Sequence, residues 1–443
     1  MIGERVAVIV GGGILGNTIA YWLSHLKGTT VFVMEKERDT SIHTTSRNTG
    51  MVHRPFYMNP QKKKVLAISA SISYYLWKEF ASTHDLPWNE VGTLEVAKTE
   101  EQVKTIEKYE TWALINGIQE DQISILNREQ IREIERNVSA PAGILSRTDT
   151  STDYGILSNK IAEINRINGV RYLFNSRVMD IRSEKRTLQY LIDDSRTKRQ
   201  MGYDLLINAA GNNSLDLAHR DGVALDKSVM YFRGEYWKVN ENLKGFVSRN
   251  IYSVADNPEF PFLDPHLIIR SNGTLEIGPN AVPVSGPEFY REGMGKNREF
   301  FPILKRPLSP KINLLLNSQF IKLALGEWKS SLSQKEMIGR VNSFIPTMDF
   351  RNAKVRGFSG IRGSLVDKHG FVPETIVQNK ENCLHVLNYN SPGATGSPYF
   401  SYLLYNSILK NGFLEENQGQ DHIPHEIWRD IDSYKSNGEI LLF

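Results

Sequence analysis

A single cysteine, Cys383, among 443 residues excludes an intrachain disulfide and any metal site assembled from several cysteines; no metal and a reducing, cytoplasmic setting are the expectation. Charge of one sign is equally scarce. With 53 basic and 50 acidic residues the formal net charge is +3, too small to imply a nucleic-acid partner. Lys62-Lys63-Lys64 is the one basic run, and a solvated face accounts for it. No apolar stretch approaches the roughly 20 residues that cross a bilayer, so membrane contact is expected to be peripheral at most, on the inner face. The opening residues already read as a strand, and no cleaved leader is expected. Internal repeats and low-complexity segments are absent. What remains is a soluble composition, 40% hydrophobic, over a length that suits two or three domains.

The most informative stretch comes first. Val6-Ala7-Val8-Ile9-Val10 runs into Gly11-Gly12-Gly13-Ile14-Leu15-Gly16, a strand, a turn with G-x-G-x-x-G spacing and a helix opening near Gly16. Such a unit holds a pyrophosphate on backbone N–H groups: Gly11 permits the turn, Gly13 lets the backbone approach the phosphates, and Gly16 lets helix and strand pack closely. A second strand, Thr30-Val31-Phe32-Val33-Met34, ends at Glu35, roughly twenty positions after the glycines, where a carboxylate accepts from a ribose hydroxyl.

A polar loop over 38–48 follows, then a helix over 62–83 and a strand, turn and strand over 88–96. Charged helices are expected over 100–116 and 128–135. After a second polar loop at 148–155, a helix over 156–167 leads into a strand at 170–174, a return to the nucleotide-binding sheet. Strands at 177–183 and 188–192 pair, and an apolar strand ends in Asn208-Ala209-Ala210-Gly211, where backbone can approach a ligand. The pattern over 229–277 is mainly β. Short strands recur over 355–371 and 384–388, and Ser391-Pro392-Gly393-Ala394-Thr395-Gly396-Ser397 opens a helix over 399–409, a third seat for an anion or cofactor. The residues after 415 are polar and read as a terminal extension.

Three such turns are more than a nicotinamide dehydrogenase needs and suggest FAD. The chain resembles the D-amino-acid oxidase superfamily of flavoproteins, and within it the L-2-hydroxyglutarate oxidase/dehydrogenase group. The matching pieces are Arg47-Asn48-Thr49-Gly50-Met51-Val52-His53, Phe232-Arg233-Gly234-Glu235-Tyr236, Phe260-Pro261-Phe262-Leu263 with His266, Gly278-Pro279-Asn280-Ala281-Val282, Gly360-Ile361-Arg362 and Ser391-Pro392-Gly393-Ala394-Thr395. The resemblance implies an α/β fold, α+β overall: a Rossmann-like FAD-binding domain (1–87, 146–215 and 355–415) interleaved with a substrate domain on a mixed or antiparallel sheet (88–145 and 216–354), and a C-terminal extension (416–443). Substrate would lie between flavin ring and sheet.

Oxidising an alcohol requires a base near the flavin, and histidine suits neutral pH. His53, placed as the resemblance places a histidine beside the ring, and His266 are the candidates; Arg54-Pro55 follows His53 where small residues are expected. Carboxylate recognition calls for arginine. Arg233, Arg270 and Arg362 are available, Arg362 also toward the flavin's pyrimidine edge, with Arg54 beside the pocket and Tyr57 and Tyr252 as hydroxyl donors. Arg233 and Glu235 share a strand face and are a natural ion pair. Cofactor contacts are expected from Gly11, Gly13, Ile14, Leu15, Gly16, Glu35, Lys36, Thr45, Ser46, Arg47, Asn48, Val178, Ala210, Gly211, Arg362, Gly393, Ala394 and Thr395. Cys383, expected in a polar turn, suits no covalent flavin link; His43 is the one other attachment point, with noncovalent FAD the default.

The implied activity is FAD-dependent oxidation of a small L-2-hydroxy acid, 2-hydroxyglutarate first, to the 2-oxo acid by hydride transfer with a histidine base. Glycerol 3-phosphate, or an amine such as glycine or sarcosine, is the alternative inside the fold; a noncatalytic flavin-binding or tRNA-modification partner is the alternative outside it. Partners would be a carboxylate substrate and an acceptor, whether oxygen, a quinone or an electron-transfer protein.

Overall fold

The opening apolar run becomes the strand Arg5–Val10 at the centre of a six-stranded sheet. The order is Ile376–Lys380, Cys383–Leu387, Leu205–Asn208, Arg5–Val10, Thr29–Met34, Arg171–Leu173, parallel except for the first. Successive side chains alternate faces. Ala7 and Ile9 enter a core shared with helices, whereas Val8 and Val10 enter one shared with the meander Ser176–Arg182, Thr187–Ile192, Lys198–Gly202. Burial on both faces is why the run shows no polar alternation. The computed structural model describes residues 5–193, 197–257, 260, 264–290, 307–353, 355–414, 427–429, 431–434, 440 and 442–443.

Four helices, Ile14–Leu23, Lys64–Thr83, Tyr154–Ile167 and Gly393–Lys410, form the helical layer. Their core gathers Tyr21, Trp22, Trp77 and Trp428 at ring separations of 5.1–5.7 Å. Trp428 belongs to the stretch expected to be a polar extension, yet it is buried, and its indole N–H donates to the carbonyl of Leu76 at 3.0 Å. Ile427 and Ile431 join the same core. Most of 416–443, and Pro261-Phe262-Leu263, lie outside the described residues.

The second sheet is broad and largely antiparallel. Its order is Gly370–Phe371, Val355–Asp367, Ser228–Lys238, Leu275–Gly278, His266–Ile269, Asn250–Ser253, Thr93–Val96, Ala142–Ser146, Ile123–Asn127, with Val282–Val284 also paired to Ser228–Lys238. One contact, Asn250–Ser253 against Thr93–Val96, is parallel. The short strands expected over 355–371 are chiefly one strand of 13 residues. Over 88–96 only Thr93–Val96 is a strand, while Asn89 bridges Ser151. Glu100–Ile115 and Arg128–Ile134 are helical as expected.

Two helices that the sequence patterns did not mark, Ser318–Leu332 and Gln334–Val341, brace this sheet. Met337, Ile338 and Val341 pack against Leu94, Ile251, Leu267 and Ile277. The buried Glu327 carboxylate accepts from the Ala281 backbone N–H at 2.6 Å and meets Arg340 at 2.7 Å. Arg340 also meets Asp264 at 2.9 Å, and Lys98 meets the other oxygen at 2.9 Å. Burial pushes the Asp264 pKa up, but these two cations outweigh it and hold the carboxyl below its ordinary range. Arg340→Met strands Glu327 without a counter-charge and is expected to cost about 3 kcal/mol in urea unfolding, with most of the loss recovered in Glu327→Gln/Arg340→Met.

Candidate active site

The glycine turn leaves no space for side chains. A Cβ at Gly16 would lie 1.9 Å from the Gly11 carbonyl oxygen, and one at Gly11, where φ is +110°, would lie 2.6 Å from that of Ala209. The helix Ile14–Leu23 therefore begins against the strand ends, with no acidic residue in its first turn. Thr45 accepts the Ile14 N–H at 3.0 Å. Glu35 is fixed by the N–H groups of Gly12 (2.7 Å) and Glu37 (2.9 Å).

From this turn open two adjoining cavities of about 310 and 330 Å³, which share Gly13, Thr44, Thr45, Ala209, Gly211 and Asn212. One is lined by Gly11, Glu35, Lys36, Val178 and Ala210. The other is lined by Ile14, Leu15, Arg47, Asn48, His53, Arg362, Gly393, Ala394 and Thr395, and by the inner face of the broad sheet through Phe232, Gly234, Tyr236, Tyr252 and His266. The helix Gly393–Lys410 also enters with no acidic residue in its first turn. An elongated space reached by two helix N-termini, with an acidic residue at one end and a roofing sheet at the other, fits a dinucleotide cofactor.

The sequence candidates divide on this geometry. Gly16 lies beneath the turn and serves by its smallness. Ser46 does not line the cavities; its hydroxyl donates to the Ser41 carbonyl. Arg233 pairs with Glu235 at 2.8 Å, both buried, and is turned out of the cavity that its neighbours Phe232 and Gly234 line. Arg270 is spent on Glu276 (2.7 Å) and the Asn48 carbonyl (2.7 Å). Arg54 is wholly buried, with its guanidinium 4.2 Å above the Tyr74 ring, so it cannot reach a ligand in the cavity. Tyr57 meets His53 edge-on at 6.1 Å and does not line the cavity.

The histidines have different surroundings. The backbone N–H of His53 donates to Thr395 Oγ1 at 3.2 Å, which pins this segment to the helix start. Its Nδ1 lies 3.5 Å from Oδ2 of Asp149. Asp149 is fully buried; Oδ1 accepts from Ser146 (2.7 Å) and from the Arg54 N–H (3.1 Å), leaving Oδ2 without a hydrogen bond. His266 instead stacks on Tyr252 at 3.8 Å and gives its Nδ1–H to the Asp264 carbonyl at 3.1 Å. Its Nε2 has no hydrogen-bond partner. Burial above all, together with the charge of His53, pushes its pKa down to about 3, so this ring stays neutral.

Arg362 lines the cavity, its Nε without a hydrogen bond and no ion pair formed among the described residues. Burial lowers its pKa. Lys63, assigned to a solvated run, is half-buried, and its pKa is lowered by burial and by the nearby charge of Arg362. Sequence patterns missed both Lys63 and Asp149. Asp149 lies in the second polar loop, which gave the only signal.

Outside the cavity, Cys383 opens a buried strand instead of a polar turn; burial raises its thiol pKa well above the ordinary range. With Asp221 and His385 it forms a mixed set able to hold a metal, which counting cysteines does not exclude. Internal bonds already satisfy that set: Asn208 meets His385 Nδ1 at 3.0 Å and Asp221 meets Nε2 at 3.2 Å. In the other such group, Glu37, His43 and Glu288, the ammonium of Lys36 occupies the centre. His43 lies at the Glu35 end, away from the cavity that holds His53, and both its ring nitrogens are engaged, with Glu37 and Tyr290.

This cradle, elongated cavity and roofing sheet define a flavin-dependent oxidoreductase. Residues 7–406 match the FAD dependent oxidoreductase family, DAO, and the chain belongs to it. It is 29% identical over 393 residues to an L-2-hydroxyglutarate dehydrogenase of Indibacter alkaliphilus, covering 88% of this chain and 95% of that protein. It is 26% identical over 430 residues to the mitochondrial L-2-hydroxyglutarate dehydrogenase of Homo sapiens, covering 90% and 88%. Among solved structures, the FAD-bound L-alpha-glycerophosphate oxidase of Mycoplasma pneumoniae superposes with a TM-score of 0.71 at 21% identity, over 94% of this chain and 97% of that one. Glycine oxidase of Geobacillus kaustophilus gives 0.65 at 17% identity, over 96% and 99%.

Beside the cavity, Glu95, Tyr252 and His266 occupy one row across three adjacent strands. Burial first, then the charge of Asp149, raises the Glu95 pKa from 4.5 to about 8. The folded carboxyl thus keeps a proton that the unfolded chain has lost, and stability falls as pH rises from about 4.5 through about 8. Glu95→Gln removes this loss: its stability relative to the parent is expected to rise by on the order of 3 kcal/mol between pH 4.5 and pH 8.5, read by denaturant unfolding at both pH values.

Proposed function

We propose that this flavoenzyme oxidises a small L-2-hydroxy acid, 2-hydroxyglutarate or a close relative, to the 2-oxo acid. The observation that carries the reading is Arg362: it lines the cavity without an ionic partner among the described residues, whereas Arg233, Arg270 and Arg340 are each paired. A substrate carboxylate supplies the missing bidentate acceptor. Lys63 adds a second positive charge close by, which favours a dicarboxylate over a monocarboxylate or a neutral amino acid. The names of the relatives support the same substrate.

Gly11, Gly13, the Ile14–Leu23 N-terminus and Glu35 would hold the dinucleotide half of FAD, with Gly393 and Ala394 at the ring. When bound, FAD supplies the two-electron acceptor for the hydride that leaves the substrate carbon. The hydroxyl proton goes to His53: the free Asp149 oxygen 3.5 Å from Nδ1 stabilises the imidazolium that forms. His266 is held neutral and presents a lone pair at Nε2, so it accepts a hydrogen bond and orients substrate without storing a proton. Arg54, sealed among tyrosines, gives no support to a phosphate substrate.

The test is the visible spectrum of the holoprotein under anaerobic conditions with L-2-hydroxyglutarate, glycerol 3-phosphate or glycine in separate cuvettes. Bleaching by the hydroxy acid alone is expected; bleaching by either of the others alone overturns the reading. Arg362→Met should raise the substrate concentration for half-maximal reduction by about 100-fold. His53→Gln should slow reduction by about 100-fold or more, whereas His266→Gln should act mainly on binding.

A further inference from the structure

Six of the fifteen exposed large hydrophobic residues among the described residues fall between positions 312 and 332: Ile312, Leu316, Ile321, Leu325, Trp328 and Leu332. The first two lie on and just after the helix Ser309–Leu315, the other four on Ser318–Leu332. Ile321, Leu325, Trp328 and Leu332 follow i, i+4, i+7, i+11 spacing, a single stripe along the helix. Leu316 and Leu332 are 77% and 78% exposed. The fold does not need this face, because the same helices are anchored by Leu314, Phe320, Glu327 and Ser331 on another.

We propose that this stripe docks the protein onto an anionic phospholipid surface. The flanking charge decides the occupant. Lys322 and Lys329 are exposed beside the stripe, and the only acidic residue between 312 and 332, Glu327, is buried against Arg340 and the Ala281 N–H. The outward face is therefore apolar and cationic, with a tryptophan among its apolar residues, the composition of a helix lying in a membrane interface. A second copy docked about a two-fold axis would bring the same lysines into one interface without acidic partners from this helix. No described helix is long and apolar enough to cross a bilayer. Phe320, on the inner side, packs in the cluster that contains Phe232, which lines the cavity. The docking face and the cavity wall are thus one packed layer apart.

Flotation of the holoprotein with vesicles tests the assignment independently of any substrate. With equal parts of phosphatidylglycerol and phosphatidylcholine the protein is expected to float, less so with phosphatidylcholine alone, and less again as salt is raised. Leu325→Gln/Leu332→Gln is expected to lower partitioning by about tenfold or more while keeping the flavin spectrum and thermal midpoint, since both side chains are exposed. Lys322→Gln/Lys329→Gln should lose the preference for phosphatidylglycerol but keep weak binding to the neutral vesicles. Failure of the parent to float, or equal flotation of the leucine variant, overturns the proposal. So does a parent that stays with the buffer as a dimer and becomes monomeric in the leucine variant, which would make a second copy the occupant.

Discussion

Three backbone-to-backbone approaches, each made where a side chain is missing, set the geometry of this protein. Gly16 rides on the Gly11 carbonyl, and Gly11 lies against Ala209 at the end of the neighbouring strand. Gly360, in the long strand of the broad sheet, comes so near the carbonyl of Arg47 that a Cβ there would sit 2.0 Å from it. The first two bring a helix N-terminus to the carboxyl ends of parallel strands. The third draws the roofing sheet onto the polar loop that follows the strand Thr29–Met34. Arg362 lies two residues beyond Gly360, and alternation along a strand puts it on the same face. Backbone packing thus helps fix where Arg362 enters the cavity.

The distribution of buried charge then separates scaffold from site. Arg233 with Glu235, Arg270 with Glu276, and Arg340 with Glu327 are each matched, and the first and last extend to Arg356 and to Asp264. Such pairs stabilise only while both members remain, and they serve position more than affinity. Arg54 is handled differently, lying between the faces of Tyr74 and Tyr75 at 4.2 and 5.3 Å. Among the described residues Arg362 and Lys63 lie near each other with burial lowering both pKa values, Glu374 offsetting this only in part at Lys63, an arrangement that the proposed dianionic substrate would relieve. Desolvated cations are costly to a folded chain, and binding sites commonly carry such a cost.

Legibility in the sequence followed the same division. The cofactor side could be read because its demands are local: glycines at fixed offsets, an acidic residue one strand later, and small residues where strands end. The apolar periodicity that placed Lys64–Thr83 and Tyr154–Ile167 is local too. The helix Ser318–Leu332 was missed because its apolar stripe faces outward while Glu327, Ser330 and Ser331 lie on its buried side, and Lys198–Gly202 because an exposed edge strand has no buried face to mark it. The substrate side was legible only in part. His53, His266 and Arg362 line the cavity; the Arg233–Glu235 pair was foreseen from their shared strand face, whereas the pairing of Arg270 with Glu276 across neighbouring strands and the burial of Arg54 against Tyr74 depend on packing that no local pattern marks. Asp149 was missed because nothing in a loop of threonines and serines announces which member will be buried against a segment as distant in the chain as His53 and Arg54.

The two histidines show how one residue type is set to two tasks by its neighbours. His266 lies in the strand core against Tyr252, its Nδ1 proton fixed on a backbone carbonyl, with no free carboxylate facing Nε2. Protonating it would place a second positive charge beside His53 in a desolvated row, and the fold resists this down to about pH 3. His53 faces the opposite situation, because the carboxylate oxygen opposite its Nδ1 is itself unsatisfied. Neutral Glu95 beside Asp149 sharpens the contrast: with one carboxyl of the pair holding its proton, the negative charge is left on the member next to His53. On the proposed function, one ring would accept a hydrogen bond and the other a proton, which is the division of labour that oxidation of a secondary alcohol requires.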